Sequence, residues 1–229
     1  MSPTIYGACK PVVAAALRLL CRYKVENKIG AMPEEPVVVV ANHLSWIDIP
    51  LVGVCIPRRI AFMAKKEYAK SRFHGALIRL FGSFTVERGT VDRTALRLAD
   101  EALRKGCALG MFPEGTRSTT LQLKRGGLGA AFIALRNDAF ILPVGIAGTE
   151  KVRQRYQNKR RFLHRPQVTV NIGQPFKLPR VEESPTRAQL ASSTETIMRR
   201  LAELLPESYR GVYRDDANTS SERLQDDAD

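Results

Sequence analysis

Short apolar runs alternate along the chain with amphipathic segments. Pro36–Ala41 (PVVVVA) is a β-branched run that a proline opens and an asparagine follows. It predicts a strand that is buried on both faces, as in a parallel sheet. Five further segments predict strands: Ile60–Ala64, Ser83–Val86, Cys107–Phe112, Phe140–Ile146 and Val168–Ile172. Together these segments predict a central β-sheet.

Helical segments separate several of these strands. Thr90–Lys105 carries apolar residues on one helical face, and Gly106 stands where a C-terminal glycine stop belongs. Gly126–Asn137 and Pro185–Leu205 also predict helices. The connections are long enough for parallel pairing. We therefore expect an α/β fold: one domain with a mixed, largely parallel central sheet flanked by helices, preceded by an N-terminal amphipathic helical segment.

The N-terminal segment is apolar but also carries cations. Thr4–Cys21 is interrupted by Lys10 and Arg18, and its uninterrupted part, Pro11–Leu17, is far shorter than the roughly 20 apolar residues that a bilayer span needs. Two interpretations remain open. The segment is either an interfacial helix that lies on an anionic bilayer, or a helix packed on the core of its own domain.

These patterns divide the chain of 229 residues into three parts. Residues 1–30 are expected to be the amphipathic, membrane-associating helix. Residues 31–211 are expected to form the α/β domain, since a chain of this length supports one sizeable core. The polar, acidic tail at 212–229 is expected to be disordered.

The charge of the chain is unusually positive. The formal net charge is +13 and the sequence pI is about 10.0. Lys151–Arg165 contains seven Lys or Arg and no acidic residue. This charge favours an anionic partner, although the basic segment could also be a solvated loop. A nucleic-acid partner is not expected, because no zinc-finger or RNP-type motif is present and no aromatic platform accompanies the cations.

The cysteines and histidines bear on the redox compartment and on metal binding. The four cysteines form no C-x-x-C pair, which favours a reducing compartment, and the three histidines are far apart in sequence. We therefore expect no metal site and no cofactor.

A histidine and an aspartate follow the first predicted strand. His43 and Asp48 lie in Asn42–Asp48 (NHLSWID), and Pro50 favours an irregular turn that leads into a helix. A carboxylate bound to one imidazole nitrogen fixes the tautomer and leaves the other nitrogen as a base. The alternative is structural: Ser45-x-x-Asp48 matches a capping box, and His43 would then be a satisfied buried histidine.

A second polar turn follows a later strand. Phe112–Ser118 (FPEGTRS) offers Glu114 and Arg117, with Lys124 and Arg125 a few residues on. An arginine fork matches phosphate oxygens bidentately, whereas a surface Glu–Arg pair would contribute little. A third piece, Gly82–Gly89 (GSFTVERG), places Arg88 after a strand. In open α/β sheets such strand ends gather at one edge, where ligands bind.

In order and spacing these pieces resemble the motifs of the glycerolipid acyltransferase family, most closely lysophosphatidate (1-acylglycerol-3-phosphate) acyltransferases of the bacterial type. The four motifs stand here as NHLSWID, GSFTVERG, FPEGTRS and the Pro-centred strand Ile141–Ile146 (ILPVGI). The resemblance covers about residues 36–149. It implies an enzyme of phospholipid biosynthesis that moves a fatty acyl group from acyl-CoA or acyl carrier protein to the free hydroxyl of 1-acylglycerol 3-phosphate.

The resemblance also implies roles for individual residues. His43 would be the general base and Asp48 would orient it. The acceptor phosphate would be bound by a set of residues from the later motifs: Arg88, Glu114, Gly115, Thr116, Arg117 and Lys124. Pro143 would help to shape the substrate pocket. The implied partners are acyl-CoA or acyl carrier protein, lysophosphatidate and an anionic membrane surface. The implied location is the cytoplasmic face of the cell membrane, with peripheral or monotopic attachment.

The chemistry of the residues is compatible with this resemblance. An ordinary imidazole, with a pKa of about 6.5, is suited to take a proton from an attacking hydroxyl. No G-x-S-x-G sequence is present, which favours direct transfer over an acyl-enzyme intermediate. Two alternatives remain: an acyltransferase that uses another lysolipid or lipid hydroxyl, and a basic nucleic-acid-binding protein.

Overall fold

A seven-stranded mixed sheet forms the centre of the fold. The structure is a computed structural model, and it describes residues 3–27, 31–65, 84–86, 93–157 and 165–214. The strand order across the sheet is β1-β7-β6-β2-β5-β3-β4. Its strands are β1 (Arg22–Glu26), β2 (Val37–Ala41), β3 (Ile60–Lys65), β4 (Phe84–Val86), β5 (Ala108–Met111), β6 (Phe140–Ala147) and β7 (Gln167–Ile172).

All pairings between neighbouring strands are parallel except that between β6 and β7. The described helices cover both faces of the sheet. They are α1 (Pro3–Leu20), α2 (Asp48–Cys55), α3 (Arg93–Arg104), α4 (Gly129–Arg136), α5 (Thr149–Gln157) and α6 (Arg187–Glu203). The predicted α/β class with a mixed, largely parallel sheet is confirmed.

Strand β2 contributes to the core on both faces of the sheet, as its run of valines predicts. Val37 and Val39 pack in the cluster that includes residues of α1 and α2. Val38 and Val40 point the other way, into the cluster formed with α3, α4 and α6. Successive side chains of a strand alternate between faces, so an unbroken apolar run fits only a strand covered on both sides.

Several predicted boundaries shift, and two elements were not predicted. Helix α4 begins at Gly129 rather than Gly126, and residues 90–92 of the predicted third helix lie outside the described residues. Gly106 has a φ of 75°, which confirms its role as the glycine that ends α3. Strand β1 and helix α5 had no prediction, and for α2 the sequence indicated only that a helix begins near Pro50. Strand β1 lacks an apolar run because it lies at the sheet edge, where alternate residues stay exposed.

Helix α1 ends at Leu20, earlier than the predicted limit of residue 30, because the chain turns at once into β1. One face of the helix buries Tyr6, Ala14 and Leu17 against the domain. The Tyr6 hydroxyl donates to the carbonyl of Gly53 at 3.2 Å. The residue limits that the sequence suggests for the domain and the tail stay predictions.

In the interfacial interpretation of α1, Lys10 would be one of the cations that face a membrane. Instead it donates a hydrogen bond to the carbonyl of Ile56, just beyond the end of α2, and burial lowers its pKa. Lys10 therefore helps to fasten the helix to the domain. The opposite face of α1 exposes Val12 and Leu19 (relative exposures 69% and 73%). Among the described helices, none has both the length and the apolar character that crossing a bilayer requires.

Replacing a leucine by alanine should lower the stability much more on the buried face of α1 than on its exposed face. Leu17→Ala should lower the free energy of unfolding by about 2–5 kcal/mol, because Leu17 is only 2% exposed and its removal leaves a cavity. Leu19→Ala, on the exposed face, should change stability by less than about 0.5 kcal/mol. Urea denaturation followed by circular dichroism measures both. Equal effects would contradict the docking of α1.

Candidate active site

His43 and Asp48 lie in the turn between β2 and α2. The Nδ1 atom of His43 is 2.8 Å from Oδ2 of Asp48. The same oxygen accepts the backbone N–H groups of Leu44 and Ser45, each at 2.7 Å. Asp48 is fully buried, whereas the His43 side chain is 14% exposed. The carboxylate occupies Nδ1, so that Nε2 is the nitrogen that can accept a proton.

The capping-box alternative is realised only in part. The helix begins at Asp48 itself, and the Ser45 hydroxyl has no hydrogen-bond partner within the described residues. The Ser45 N–H does bond the Asp48 carboxylate, as it would in a capping box. The turn thus fixes the carboxylate with its own backbone, and the carboxylate in turn holds the imidazole. Pro50 lies in the first turn of α2, where proline is tolerated.

The ring of Phe112 stacks on the imidazole of His43. Their centroids are 4.1 Å apart and their planes differ by 19°. Phe62 stacks in turn on Phe112, with a centroid distance of 5.9 Å. Sequence reasoning missed this contact, because Phe112 was assigned to the end of a strand with no role of its own. The stack restricts the tilt of the imidazole, while Asp48 restricts its rotation.

Asn42 also gained no role from the sequence, although it precedes His43. Its side-chain amide donates to the carbonyl of Ile146 at 2.8 Å and accepts the N–H of the same residue at 2.7 Å. The buried amide thereby continues the pairing of β2 with β6 beyond the end of β2. A polar residue directly after a buried strand was the available signal.

Glu114 connects the two polar turns. The Gly115 N–H bonds the carbonyl of Phe112 at 2.9 Å, and Gly115 has a φ of 71°, a left-handed conformation that glycine adopts without strain. Within this turn Glu114 accepts the backbone N–H of His43 at 3.0 Å through Oε1. Its Oε2 accepts the N–H of Lys124 at 3.3 Å. Burial raises the pKa of the Glu114 carboxyl, and these two N–H groups oppose the rise.

The same loop also holds the other side of the His43 backbone. The Ser118 N–H donates to the His43 carbonyl at 2.7 Å. The two motifs therefore meet through backbone contacts at the edge where β2 and β5 end, as the sequence predicted. Parallel pairing from Val38↔Leu109 to Val40↔Met111 places both turns there.

The predicted phosphate ligands are brought together only in part. Gly115, Thr116, Arg117 and Lys124 lie in the loop joined to His43, and the Arg117 and Lys124 side chains are half-buried. Within the described residues, the Arg117 guanidinium has no ion-pair or hydrogen-bond partner. Arg88 lies outside the described residues. The assignment of the phosphate site therefore stays a prediction.

Two further sequence features have defined positions. Pro143 is buried in the middle of β6, in register with Val40 of β2, and its role in a pocket stays a prediction. The basic segment 151–165 begins in α5 and returns to the start of β7, but residues 158–164 lie outside the described residues. The Arg165 guanidinium donates to the carbonyl of Arg18 at 2.8 Å, near the end of α1.

The C-terminal segment, which includes Tyr209, Gly211 and Tyr213, packs against the loop that carries Lys124. The Leu123 N–H donates to the carbonyl of Tyr209 at 2.8 Å. The Gly126 N–H donates to the Tyr213 hydroxyl at 3.4 Å. A Cβ atom at Gly211 would lie only 2.2 Å from the Leu123 carbonyl oxygen, so the two backbones approach as closely as a glycine permits. The C-terminal segment thus supports the loop from behind.

Comparisons with known proteins agree with this geometry. A family model described as Acyltransferase matches residues 22–147. The 1-acyl-sn-glycerol-3-phosphate acyltransferase of Bacillus subtilis is 28% identical over 202 residues, which cover 87% of this chain and 96% of that protein. The lyso-ornithine lipid O-acyltransferase of Pseudomonas aeruginosa is 36% identical over 122 residues, which cover 52% and 45% of the two chains.

A solved structure also resembles the fold. It is the 1-acyl-sn-glycerophosphate acyltransferase PlsC from Thermotoga maritima, with a TM-score of 0.66 and 28% identity. The match covers 87% of this chain and 79% of that one. The family match includes both turns of the site and extends over more than half of the chain. The chain therefore belongs to the acyltransferase family, as the resemblance of its motifs to those of glycerolipid acyltransferases predicted.

Proposed function

We propose that this enzyme transfers a fatty acyl group from an acyl-CoA or acyl carrier protein thioester to the free hydroxyl of 1-acylglycerol 3-phosphate, giving phosphatidate. The observation that carries the proposal is the His43–Asp48 pair, joined through Glu114 to the loop that presents Arg117. The pair can move a proton, and the loop offers cations to a phosphate. The names of the Bacillus and Thermotoga relatives support the same acceptor.

The proposed reaction is a direct transfer. His43 Nε2 takes the proton of the acceptor hydroxyl while the oxygen attacks the thioester carbonyl. Asp48 stabilises the resulting imidazolium without taking its proton. The tetrahedral intermediate collapses with cleavage of the C–S bond, and the sulfur leaves as a thiol after it receives the proton. Burial raises the pKa of Cys55 to about 12 and that of Cys21 to about 11, so neither thiol is a ready nucleophile.

The acceptor phosphate is proposed to bind beside the loop after β5. Arg117 and Lys124 would neutralise it, Gly115 and Thr116 would let it approach the backbone, and Arg88 would add a third cation. The Arg117 guanidinium suits this role because it is half-buried and, in the described part of the chain, engaged by no acidic partner. A planar fork binds two phosphate oxygens at once.

A second acceptor deserves a test because of one relative. The Pseudomonas match is named as a lyso-ornithine lipid O-acyltransferase, and ornithine is an amino acid rather than a phosphate ester. The same His43 chemistry would serve that hydroxyl. The two acceptors differ in what they would require of Arg117.

Attachment to an anionic membrane surface is also proposed. The exposed face of α1 carries Val12 and Leu19, with Arg18 beside them. Strands β1 and β7 run opposite to the other five strands. They therefore start at the end of the sheet where β2 and β5 finish, which is the end that carries the two polar turns. The C-terminal end of α1 therefore lies at the edge of the sheet that holds His43. An apolar helix face there would keep the active site at the lipid surface.

The four cysteines support a reducing compartment, which is compatible with the cytoplasmic face of the cell membrane. All of them lie in the described part of the chain and none forms a disulfide there. Peripheral or monotopic attachment would then leave the sheet in the cytoplasm.

His43→Ala should lower the turnover number by about 100-fold or more, because it removes the proposed general base. The measurement is transfer from an acyl-CoA thioester to lysophosphatidate with purified protein. Circular dichroism and thermal unfolding serve as the controls for folding. Turnover near the wild-type value would exclude His43 as the base.

Arg117→Lys should raise the Michaelis constant for lysophosphatidate by about tenfold, because a point charge replaces a bidentate fork. The same variant should leave the Michaelis constant for a lyso-ornithine lipid nearly unchanged. Wild-type protein should prefer lysophosphatidate by its kcat/KM. A wild-type preference for the ornithine lipid would instead select the second acceptor.

Leu19→Glu should lower binding to phosphatidylglycerol vesicles by about tenfold or more, because a leucine would no longer be buried in the interface. Ala191→Glu is the matched control, since it adds the same charge to an exposed position on α6. Vesicle co-sedimentation across a salt series measures both variants. Equal losses of vesicle binding in the two variants would show that the added charge alone causes the effect. That result would count against an apolar contact between α1 and the membrane.

A further inference from the structure

Both carboxylate oxygens of Glu114 are already engaged within the protein. Oε1 accepts the N–H of His43 at 3.0 Å, and Oε2 accepts the N–H of Lys124 at 3.3 Å. The resemblance to glycerolipid acyltransferases had placed this residue among the ligands of the acceptor. A carboxylate beside a phosphate would add like charges, which raise the cost of binding. The contacts in the structure therefore suggest a different role.

We infer that Glu114 is a positioning residue for the catalytic turn, which holds the His43 backbone in place, and that it is not a ligand of the acceptor phosphate. The inference rests on the proposed role of His43 as the general base. It assigns the loop after β5 two separate tasks. Glu114 faces inward to the base, and Arg117 with Lys124 faces the acceptor.

The contacts around His43 explain why such a residue is needed. The imidazole is held at Nδ1 by Asp48 and across its face by Phe112. Asp48 also accepts the Leu44 N–H of the peptide unit that follows His43, but neither Asp48 nor Phe112 bonds the N–H or the carbonyl of His43 itself. Those two groups are held by the opposite turn, through Glu114 at the N–H and Ser118 at the carbonyl. A base that shifts by about 1 Å can lose on the order of 100-fold in rate.

The second bond of Glu114 extends the same connection to Lys124. Because one carboxylate spans two N–H groups, it sets the distance between the His43 turn and the segment that presents Lys124. Hydrogen bonds to a charged acceptor are stronger than those between neutral groups. Glu114→Gln keeps the shape but removes the charge, and its NH₂ group would have to face one of the two N–H donors.

The structural part of the inference can be measured without substrate. The chain contains three histidines, so protein labelled with ¹⁵N-histidine gives a simple amide spectrum. In Glu114→Gln the His43 amide proton should shift upfield, because its bond to a charged carboxylate is lost or weakened. Glu195→Gln is the matched control: Glu195 is paired with Arg199 on α6 at 2.8 Å and should leave the His43 amide unmoved.

The kinetic part separates positioning from binding. Glu114→Gln should lower kcat by about 10- to 100-fold and change the Michaelis constant for lysophosphatidate by less than about twofold. In the His43→Ala background it should cause no further loss, because the group that it positions is absent. Arg117→Lys should still reduce kcat/KM in that background. A raised Michaelis constant with unchanged kcat would overturn the inference and restore Glu114 as a ligand.

The outcomes distinguish this inference from the proposed function. If purified protein transfers acyl groups to no lysolipid, the proposed function fails, while the amide shift still reports whether Glu114 holds His43. If transfer occurs and the His43 amide does not move, the inference alone fails. Should Glu114→Gln not fold, Glu114→Asp provides the same two measurements, because the shorter side chain cannot reach both N–H groups.

Discussion

The parallel pairing of β2 with β5 is the constraint on which the rest of the site depends. It brings two turns that are far apart in sequence to one edge of the sheet. Backbone contacts then join them, with Glu114 and Ser118 of one turn holding the His43 peptide of the other. The relative position of the two turns is consequently set by the sheet. A shift of one residue in this pairing would turn every side chain of β2 to the opposite face.

The division of tasks within each turn follows from burial. Asp48 is fully buried, and its Oδ2 atom meets the imidazole Nδ1 and two backbone N–H groups, so it can orient the imidazole without competition from water. Arg117 and Lys124 are half-buried, so they can meet a ligand from solution or from a membrane. In the proposed mechanism, a fixed carboxylate on one side and accessible cations on the other would give the acceptor hydroxyl and its phosphate separate places.

Much of the fold could be predicted from the sequence, because buried strands leave an unmistakable pattern. The valines of β2 and the glycine that ends α3 are examples. Strand β1 could not be predicted, since an edge strand needs no apolar run. The contact of His43 with Asp48 and the meeting of the two turns at the strand ends were predicted from residue type and spacing, while the roles implied by the family resemblance stay predictions. The roles of Phe112 and Asn42 were not predicted. Ring stacking and the extension of strand pairing depend on where each side chain points in the folded chain, which residue type and spacing do not show.

The C-terminal segment has a consequence for how the enzyme is made. Tyr209 and Tyr213 bond the backbone of the loop after β5, yet they are translated long after both turns of the candidate site and lie outside the region that the family model matches. A nascent chain can form the parallel sheet while its last helix is still within the ribosome. The loop gains this support only after residues 209–213 have emerged from the ribosome. The contacts around the candidate site are therefore completed late in synthesis, long after α1 has emerged.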